Sequence, residues 1–332
     1  MSLPIVLQEE SHVNLLKRSH RMNICTLLLV HKNVEQVCRL CARLSNSSIY
    51  ILIHLDKKMR IENADIERIK ASALNVLICP QRRSCLIDDW SLVDTTIEMI
   101  EFAKHNLPEI EYYVLMSGQD YPIKPVGEFV DFLKTNYPMP YIDCTPYNVN
   151  NWIFQKFNHS ILMKYARKIK NRYRLRGPVY VVSLLEKILP RCFFTDYAIQ
   201  QFNIPLYGGS AWWVLPNIII DEIILFMKNN ERFINCYKRS ITPEETFFQT
   251  LSMCCKSSNQ IQVNQNNQIS QNCLTYSLFF TENKKFTGHP HIITKEEFSL
   301  LRNRPEYFAR KFDVNVDYEI LNKLDKQVLN IK

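Results

Sequence analysis

The stretch EYYVLMSGQDYPIKP, residues 111–125, decides the fold class because it begins as a buried strand and then stops abruptly. An apolar, β-prone run is followed by small and polar residues from Ser117 to Asp120, and two prolines prevent a regular continuation. In an open α/β sheet, ligands bind at the carboxyl ends of the strands. The sequence therefore predicts a ligand site at Ser117, Gly118 and Asp120, with Gly118 permitting a tight turn and a close backbone approach. Asp120 could instead cap the following turn.

Strand-like and helix-like segments alternate on the amino-terminal side of this stretch. MNICTLLLVH (22–31), SIYILIHLD (48–56) and NVLICP (75–80) have the apolar character of buried strands, and helix-prone segments separate them. This alternation predicts an α/β fold with a doubly wound, mostly parallel sheet and helices on both faces. The chain shows no internal repeat and no clean linker, so residues 22–332 are predicted to form one domain after an arm at 1–21.

Polar side chains also stand at the ends of the first two predicted strands. His31 follows one of them, and His54 and Asp56 end the other. We predict that they face the same crevice, although a surface strand end would show the same residues. LYGGSAWWVLP (206–216) is predicted to be a further strand, opened by two glycines.

The segment TPEETF (242–247) has the pattern of a helix start. Thr242 would be the N-cap, Pro243 the first helical residue, and Glu245 the third residue of a capping box. This purely structural explanation competes with a chemical role for Glu245.

The overall composition is that of a folded soluble protein. Of the 332 residues, 46% are hydrophobic and 22% are charged, with a formal net charge of +8. This modest positive charge suits anionic ligands, and no nucleic-acid-binding motif accompanies it, so we expect no nucleic acid partner.

Cysteine usage and hydropathy bear on metals and on location. The only CxxC pair among eleven cysteines, Cys38 and Cys41, lies in a regular helical pattern without a second pair, so no zinc site is predicted. An odd cysteine count without a signal peptide predicts reduced thiols in the cytoplasm. No apolar run is long enough to predict a transmembrane helix.

One segment is strongly basic. Residues 164–176 carry seven Lys or Arg, interleaved with aromatic and aliphatic residues. Such a run is either a solvated helix face or a contact with an anionic acceptor or membrane surface.

Well-marked nucleotide motifs are missing. The chain has no G-x-G-x-x-G, no P-loop and no D-x-D, the metal-binding pair of many nucleotide-sugar enzymes. Four other motifs, SGQDYPIK (117–124), GSAWW (209–213), PEETFF (243–248) and FARKFD (308–313), stand in the order found in one family. In these motifs the chain resembles the core-2/I-branching enzymes of glycosyltransferase family 14, which include β-1,6-N-acetylglucosaminyltransferases and peptide O-xylosyltransferases.

The resemblance implies a GT-A-like fold and an inverting, metal-independent transfer from a UDP-sugar, with no cofactor. It identifies Glu245 as the base and Lys311, helped by Arg310, as the cation for the donor diphosphate. Displacement at an anomeric carbon needs both functions. The transferred sugar would be N-acetylglucosamine or xylose, and the acceptor a hydroxyl of a glycan or lipid-linked saccharide. Residues 22–125 would form the donor half and residues 126–332 the acceptor and catalytic half.

The remaining site predictions combine the resemblance with the strand ends. Donor binding is assigned to His31, His54, Asp56, Ser117, Gly118, Asp120, Arg310 and Lys311. Acceptor binding is assigned to Trp90, Gly209, Ser210 and Trp213, although buried core positions would explain both tryptophans.

Two features limit the resemblance. A second family cation, an arginine, would fall near Gly288, where this chain has none, and His289, Lys284 or Lys285 would have to replace it. Its loss favours a rival hypothesis, a non-catalytic carbohydrate- or polyanion-binding protein. Gln119 and the tandem tryptophans are closer to the xylosyltransferase and bacterial-type branch, so a bacterial-type member is predicted.

Overall fold

The computed structural model describes residues 22–148, 157–264, 272–279 and 289–329. The predicted arm at 1–21 lies outside these ranges. The first elements are β1 (Ile24–Val30), α1 (Val34–Leu44), β2 (Ile49–Leu55), α2 (Asn63–Ala71), β3 (Val76–Ile78), α3 (Ser91–Asn106), β4 (Tyr112–Ser117), β5 (Asp120–Pro122) and α4 (Val126–Asn136). They are followed by β6 (Thr145–Pro146), α5 (Ile161–Tyr173), α6 (Gly177–Leu185), α7 (Thr195–Gln200), β7 (Tyr207–Gly208), β8 (Val214–Pro216), α8 (Asn217–Asn229), α9 (Glu231–Lys238), α10 (Phe247–Cys254), β9 (Thr275–Ser277), α11 (Phe298–Arg302), β10 (Phe308–Arg310) and α12 (Glu319–Gln327).

A five-stranded sheet with the order β3-β2-β1-β4-β8 forms the centre of the fold. The first four strands are parallel, and β8 runs antiparallel to β4. All seven residues of β1 are buried, as expected for a parallel strand covered on both faces. Alternate residues enter two separate cores, so that Ile53 packs on one face of the sheet and Leu52 on the other. The predicted α/β fold with a mostly parallel sheet is confirmed.

A smaller sheet, with the order β5-β10-β9, brings the carboxyl-terminal part of the chain to the end of β4. Strand β10 is antiparallel to β5, and its register places Arg310 opposite Asp120. On its other side β10 is parallel to β9. This pairing delivers the FARKFD motif to the turn that follows β4.

The prediction of one strand over residues 206–216 is wrong. The segment forms two short strands in different sheets, since β7 pairs with β6 and β8 pairs with β4. Between them the backbone N–H of Gly209 donates to the carbonyl of Glu245 at 2.8 Å, and that of Ser210 donates to Asp143 Oδ2 at 2.9 Å. Because these two N–H groups bond elsewhere, β7 and β8 do not form one continuous strand. A side chain at Gly209 would lie 2.0 Å from the Asp143 carbonyl oxygen, so the close approach requires glycine.

All eleven cysteines are free thiols. The described ranges contain no cluster of three His, Cys, Asp or Glu side chains arranged to hold a metal ion. Within the same ranges, no helix combines the length and apolar character needed to cross a bilayer.

Candidate functional site

The turn after β4 is closed by the carboxylate of Asp120. This side chain is fully buried and accepts hydrogen bonds from the Ser117 backbone N–H at 2.8 Å and the Ser117 hydroxyl at 3.0 Å. Asp120 therefore closes the turn that precedes it, not the following turn of the capping alternative. Its donor-binding role stays a prediction. Gly118 does not adopt a left-handed φ, and a Cβ there would meet Val37 at 3.3 Å and Val30 at 3.4 Å. Gly118 and Gln119 form the predicted tight turn. The missing side chain at Gly118 also makes room for core packing, and the close approach of a ligand stays a prediction.

Arg310 is the buried partner of Asp120. Its Nε lies 3.1 Å from Asp120 Oδ1, an ion pair without the alignment of a hydrogen bond, and its guanidinium stacks 4.0 Å above the Trp212 ring. Burial raises the pKa of Asp120, and the charge of Arg310 and the bonds from Ser117 oppose that rise. Burial likewise lowers the pKa of Arg310, against the opposing effect of Asp120. The pair fixes the guanidinium at the end of the central sheet.

Glu245 lies near enough to this arginine for the two charges to interact. Burial lowers the pKa of Arg310, and the negative charge of Glu245 is one of the effects that oppose this lowering. Residues Pro243–Glu245 form a 3-10 turn preceded by Thr242 at φ 54°, and no side chain caps it. The predicted capping box is therefore wrong, because Thr242 is left-handed and its hydroxyl donates to the Ile241 carbonyl at 2.7 Å. Glu245 is therefore not part of a capping box, and the structural explanation that competed with a chemical role is removed.

Glu244 faces a different neighbour. Its Oε1 accepts a hydrogen bond from the Asp88 backbone N–H at 2.9 Å, and its buried Oε2 has no hydrogen-bond partner among the described residues. Burial, reinforced by the charge of Glu245, raises the pKa of Glu244 well above its ordinary value. The structure thus favours a protonated Glu244, a property that sequence analysis did not detect because it depends on packing.

This pKa has a measurable consequence for stability. An acid whose pKa is raised in the folded state loses stability relative to a neutral side chain as pH rises from its unfolded pKa to its folded pKa. We expect the free energy of unfolding of the wild type to fall relative to Glu244→Gln above the ordinary glutamate range, by at most about 1.4 kcal/mol per pH unit. Urea unfolding at several pH values measures the difference. The exposed variant Glu296→Gln should follow the wild type, and parallel wild-type and Glu244→Gln curves would contradict the assignment.

Lys311 extends the cationic side of the site. Partial burial lowers its pKa, and so do the charges of Arg310 and Lys32. Lys32 is occupied by Asp313, with Nζ 2.6 Å from Oδ2, whereas no carboxylate of the described ranges lies within ion-pair distance of Lys311. The pKa of His31 is lowered by partial burial and then by Lys32, with Lys311 contributing further. The structure therefore brings His31 and Lys311 to one edge.

His54 and Asp56 instead hold the loop beyond β2. His54 is buried and its Nε2 accepts a hydrogen bond from the Arg83 backbone N–H at 2.9 Å, and burial lowers its pKa to about 4. Asp56 accepts backbone N–H groups from Lys58 at 2.7 Å and Cys85 at 3.0 Å. Their donor-binding role stays a prediction, and the contacts observed are those of loop anchors.

Both predicted acceptor tryptophans belong to the core. Trp213 is 2% exposed and packs against Phe248 at 4.8 Å between ring centroids, and Trp90 meets Phe247 edge-on at 5.0 Å. This burial agrees with the alternative explanation that both tryptophans are core residues. The partly exposed Trp212, which sequence analysis did not select, is the one that stacks on the arginine of the site.

A groove of about 590 Å³ opens on the side of Glu244, between α5 and the loop at 86–89. Three cations of the basic run pair with acids of that loop: Lys164 Nζ lies 3.6 Å and Lys168 Nζ 3.8 Å from Asp89, and Arg167 lies 3.3 Å from Asp88. The basic run is therefore partly neutralised rather than a uniform cationic face.

Most positions predicted for the second family cation lie outside the described residues. Gly288, Lys284 and Lys285 lie outside the described residues, and His289 begins the last described range. Its replacement by one of these residues stays a prediction.

Comparison with known proteins finds that the chain is similar to several xylosyltransferases. The Xylosyltransferase of Ciona intestinalis is 24% identical over 317 residues, which cover 92% of this chain and 34% of that protein. Xylosyltransferase 2 of Homo sapiens is 22% identical over 327 residues, covering 92% and 33%. Xylosyltransferase 1 of Pan troglodytes is 22% identical over 321 residues, covering 92% and 30%. The chain spans about a third of the length of these relatives, and a bacterial-type affiliation stays a prediction.

A family model for the Core-2/I-Branching enzyme matches residues 27–302. The match includes the turn after β4 and the glutamates at 244 and 245, and it ends before Arg310 and Lys311. Since it covers most of the chain, and the sheet and motif order agree with it, the protein belongs to the Core-2/I-branching enzyme family.

Proposed function

We propose that this protein is an inverting glycosyltransferase that moves a sugar from a UDP-sugar to a hydroxyl of a glycan acceptor. One observation carries the proposal. Arg310 is held by Asp120 at the end of the central sheet, within the electrostatic influence of Glu245, and Lys311 follows it directly. A candidate base and two cations therefore meet at the edge where such sheets bind ligands.

The chemistry assigns distinct tasks to these residues. The Glu245 carboxylate would accept the proton of the acceptor hydroxyl as the oxygen attacks the anomeric carbon. The bond to the UDP oxygen breaks in the same displacement, which inverts the configuration. Lys311, supported by Arg310, would stabilise the negative charge that develops on the departing diphosphate. Fixed positive charges at that position serve in place of a metal ion.

The sugar is N-acetylglucosamine or xylose. The names of the relatives favour xylose, at 22–24% identity. The acceptor would enter from the groove beside α5, whose loop at 86–89 bonds Glu244, the sequence neighbour of the candidate base.

Lys311→Ala tests the donor site directly. We expect UDP binding to weaken by about 1.5–3 kcal/mol, the scale for losing a charge-assisted contact. Wild-type binding should survive EDTA, since the cations are side chains. Titration calorimetry with UDP, with and without EDTA, measures both effects. Lys134→Ala, at an exposed position of α4, is the matched control and should bind like the wild type. Strict dependence on manganese or magnesium would refute metal independence.

The second candidate is a non-catalytic carbohydrate- or polyanion-binding protein. The missing arginine near residue 288 favours it, because a donor site with one cation fewer holds a diphosphate less well. Binding of a glycan acceptor with no UDP affinity and no turnover would select this candidate over the transferase.

A further inference from the structure

Helix α6 is apolar and exposed. None of its residues is buried. Five large apolar side chains lie one helical turn apart, or side by side, along one face of α6 and the turn after it, and we refer to them as the α6 stripe: Tyr180 (69% exposed), Val181 (54%), Leu184 (47%), Leu185 (41%) and Ile188 (80%). A contiguous exposed patch of this kind marks a surface that meets a partner or a membrane.

The charges around the stripe are almost all positive. Residues 161–193 contain nine Lys or Arg and a single acid, Glu186. The carboxylate of Glu186 is turned inward, where it accepts hydrogen bonds from the Ser160 backbone N–H and hydroxyl, both at 2.7 Å, and lies 2.9 Å from His159 Nδ1. It therefore does little to offset the cations near the stripe.

Part of this positive charge remains available. Lys164, Arg167 and Lys168 are occupied by the loop at 86–89. Four exposed cations have no carboxylate of the described residues within ion-pair distance: Lys170, Arg174, Arg176 and Lys187. An apolar stripe with aromatic and aliphatic side chains beside free Lys and Arg is the composition of an interfacial membrane helix.

We propose that the α6 stripe inserts into the interfacial layer of an anionic lipid bilayer, and that these four cations bind the headgroups. A second copy of the chain is a poor occupant, since a symmetric contact would press two clusters of like charge together. A bilayer with anionic lipid can bury the apolar side chains of the stripe, and its headgroups can pair with the four cations.

The position of the stripe bears on the acceptor. Helices α5 and α6 pack against each other, and Tyr165 and Ile169 of α5 line the groove next to Glu244. Docking through α6 would bring that groove close to the leaflet, where it meets a saccharide carried on a lipid. This last step rests on the proposed transferase function, whereas the docking itself does not.

Flotation with lipid vesicles tests the docking. We expect the full chain to float with phosphatidylcholine vesicles that contain phosphatidylglycerol, and much less with pure phosphatidylcholine. The triple variant Val181→Ser/Leu184→Ser/Ile188→Ser should bind about tenfold more weakly or worse, because it removes the inserted side chains. Leu74→Ser/Val316→Ser, at positions 58% and 57% exposed on other surfaces, should bind like the wild type.

The electrostatic part has its own variant. Arg174→Gln/Arg176→Gln should weaken binding to the anionic vesicles and flatten its dependence on sodium chloride. Equal flotation of the triple variant and the wild type would overturn the proposal, as would salt-insensitive binding. A dimer in light scattering that the triple variant abolishes would also overturn it in favour of a second copy. Unchanged UDP binding by the folded variants, without vesicles, separates this result from the donor-site hypothesis.

Discussion

Glu245→Gln should lower turnover by about 10²–10⁴ while the affinity for UDP-sugar and the melting temperature change little. Glutamine keeps the size and most of the hydrogen-bonding capacity of the side chain but cannot accept the acceptor proton. The 3-10 turn that carries Glu245 has no side-chain cap, so the substitution removes no cap. Initial rates with saturating UDP-sugar, together with thermal melting, provide the measurements.

Glu244→Gln is the matched control for this substitution. Because burial favours the protonated form of Glu244, glutamine imitates the native state and can still accept the Asp88 backbone N–H. We expect its turnover to remain within a few-fold of the wild type. A large loss in Glu244→Gln beside an active Glu245→Gln would show that the base is the first glutamate of the pair.

Arg310→Met should lower the free energy of unfolding by about 3–5 kcal/mol, the scale for leaving one member of a buried ion pair without its partner. Asp120 is fully buried, and only Arg310 supplies it with an opposite charge at 3.1 Å among the described residues. Without that charge the carboxylate must be protonated or stay unpaired in the interior. The variant would also lose the stacking on Trp212. Urea unfolding measures the loss.

A second substitution separates the charge from the packing. Asp120→Asn in the Arg310→Met background should recover a large part of the lost stability, because the uncompensated carboxylate is removed. Arg68→Met breaks an exposed pair with Asp65 at 3.0 Å and should change stability little. Equal losses in the single and the double variant would show that the ion pair does not account for the effect.

The central sheet was predictable because its signals are local. β1, β2 and β4 are continuous apolar runs, which parallel strands covered on both faces require. Each ends in polar residues, and the candidate site lies at those ends. The sequence motifs also identified Glu245, Arg310 and Lys311 as candidate site residues.

Other features depend on which distant segments meet. Helix-start residues at 242–245 predicted a capping box, but a left-handed Thr242 leads into a 3-10 turn instead. The sequence predicts a tight turn at Gly118, but it does not predict that the missing side chain faces Val30 and Val37. Local patterns report backbone preferences, and they do not report which neighbour occupies the space beside a residue.

The mostly parallel α/β sheet and the residues at its strand ends can be predicted from the sequence alone, because both follow from hydrophobic periodicity and from the order of the motifs. Three features are visible only in the tertiary structure. Asp120 is buried against Arg310, Trp212 rather than Trp213 stacks on that arginine, and α6 is exposed. Burial and charge pairing depend on contacts between segments that are far apart in the chain. The pairing of Arg310 with Asp120, for example, forms only when β10 pairs with β5.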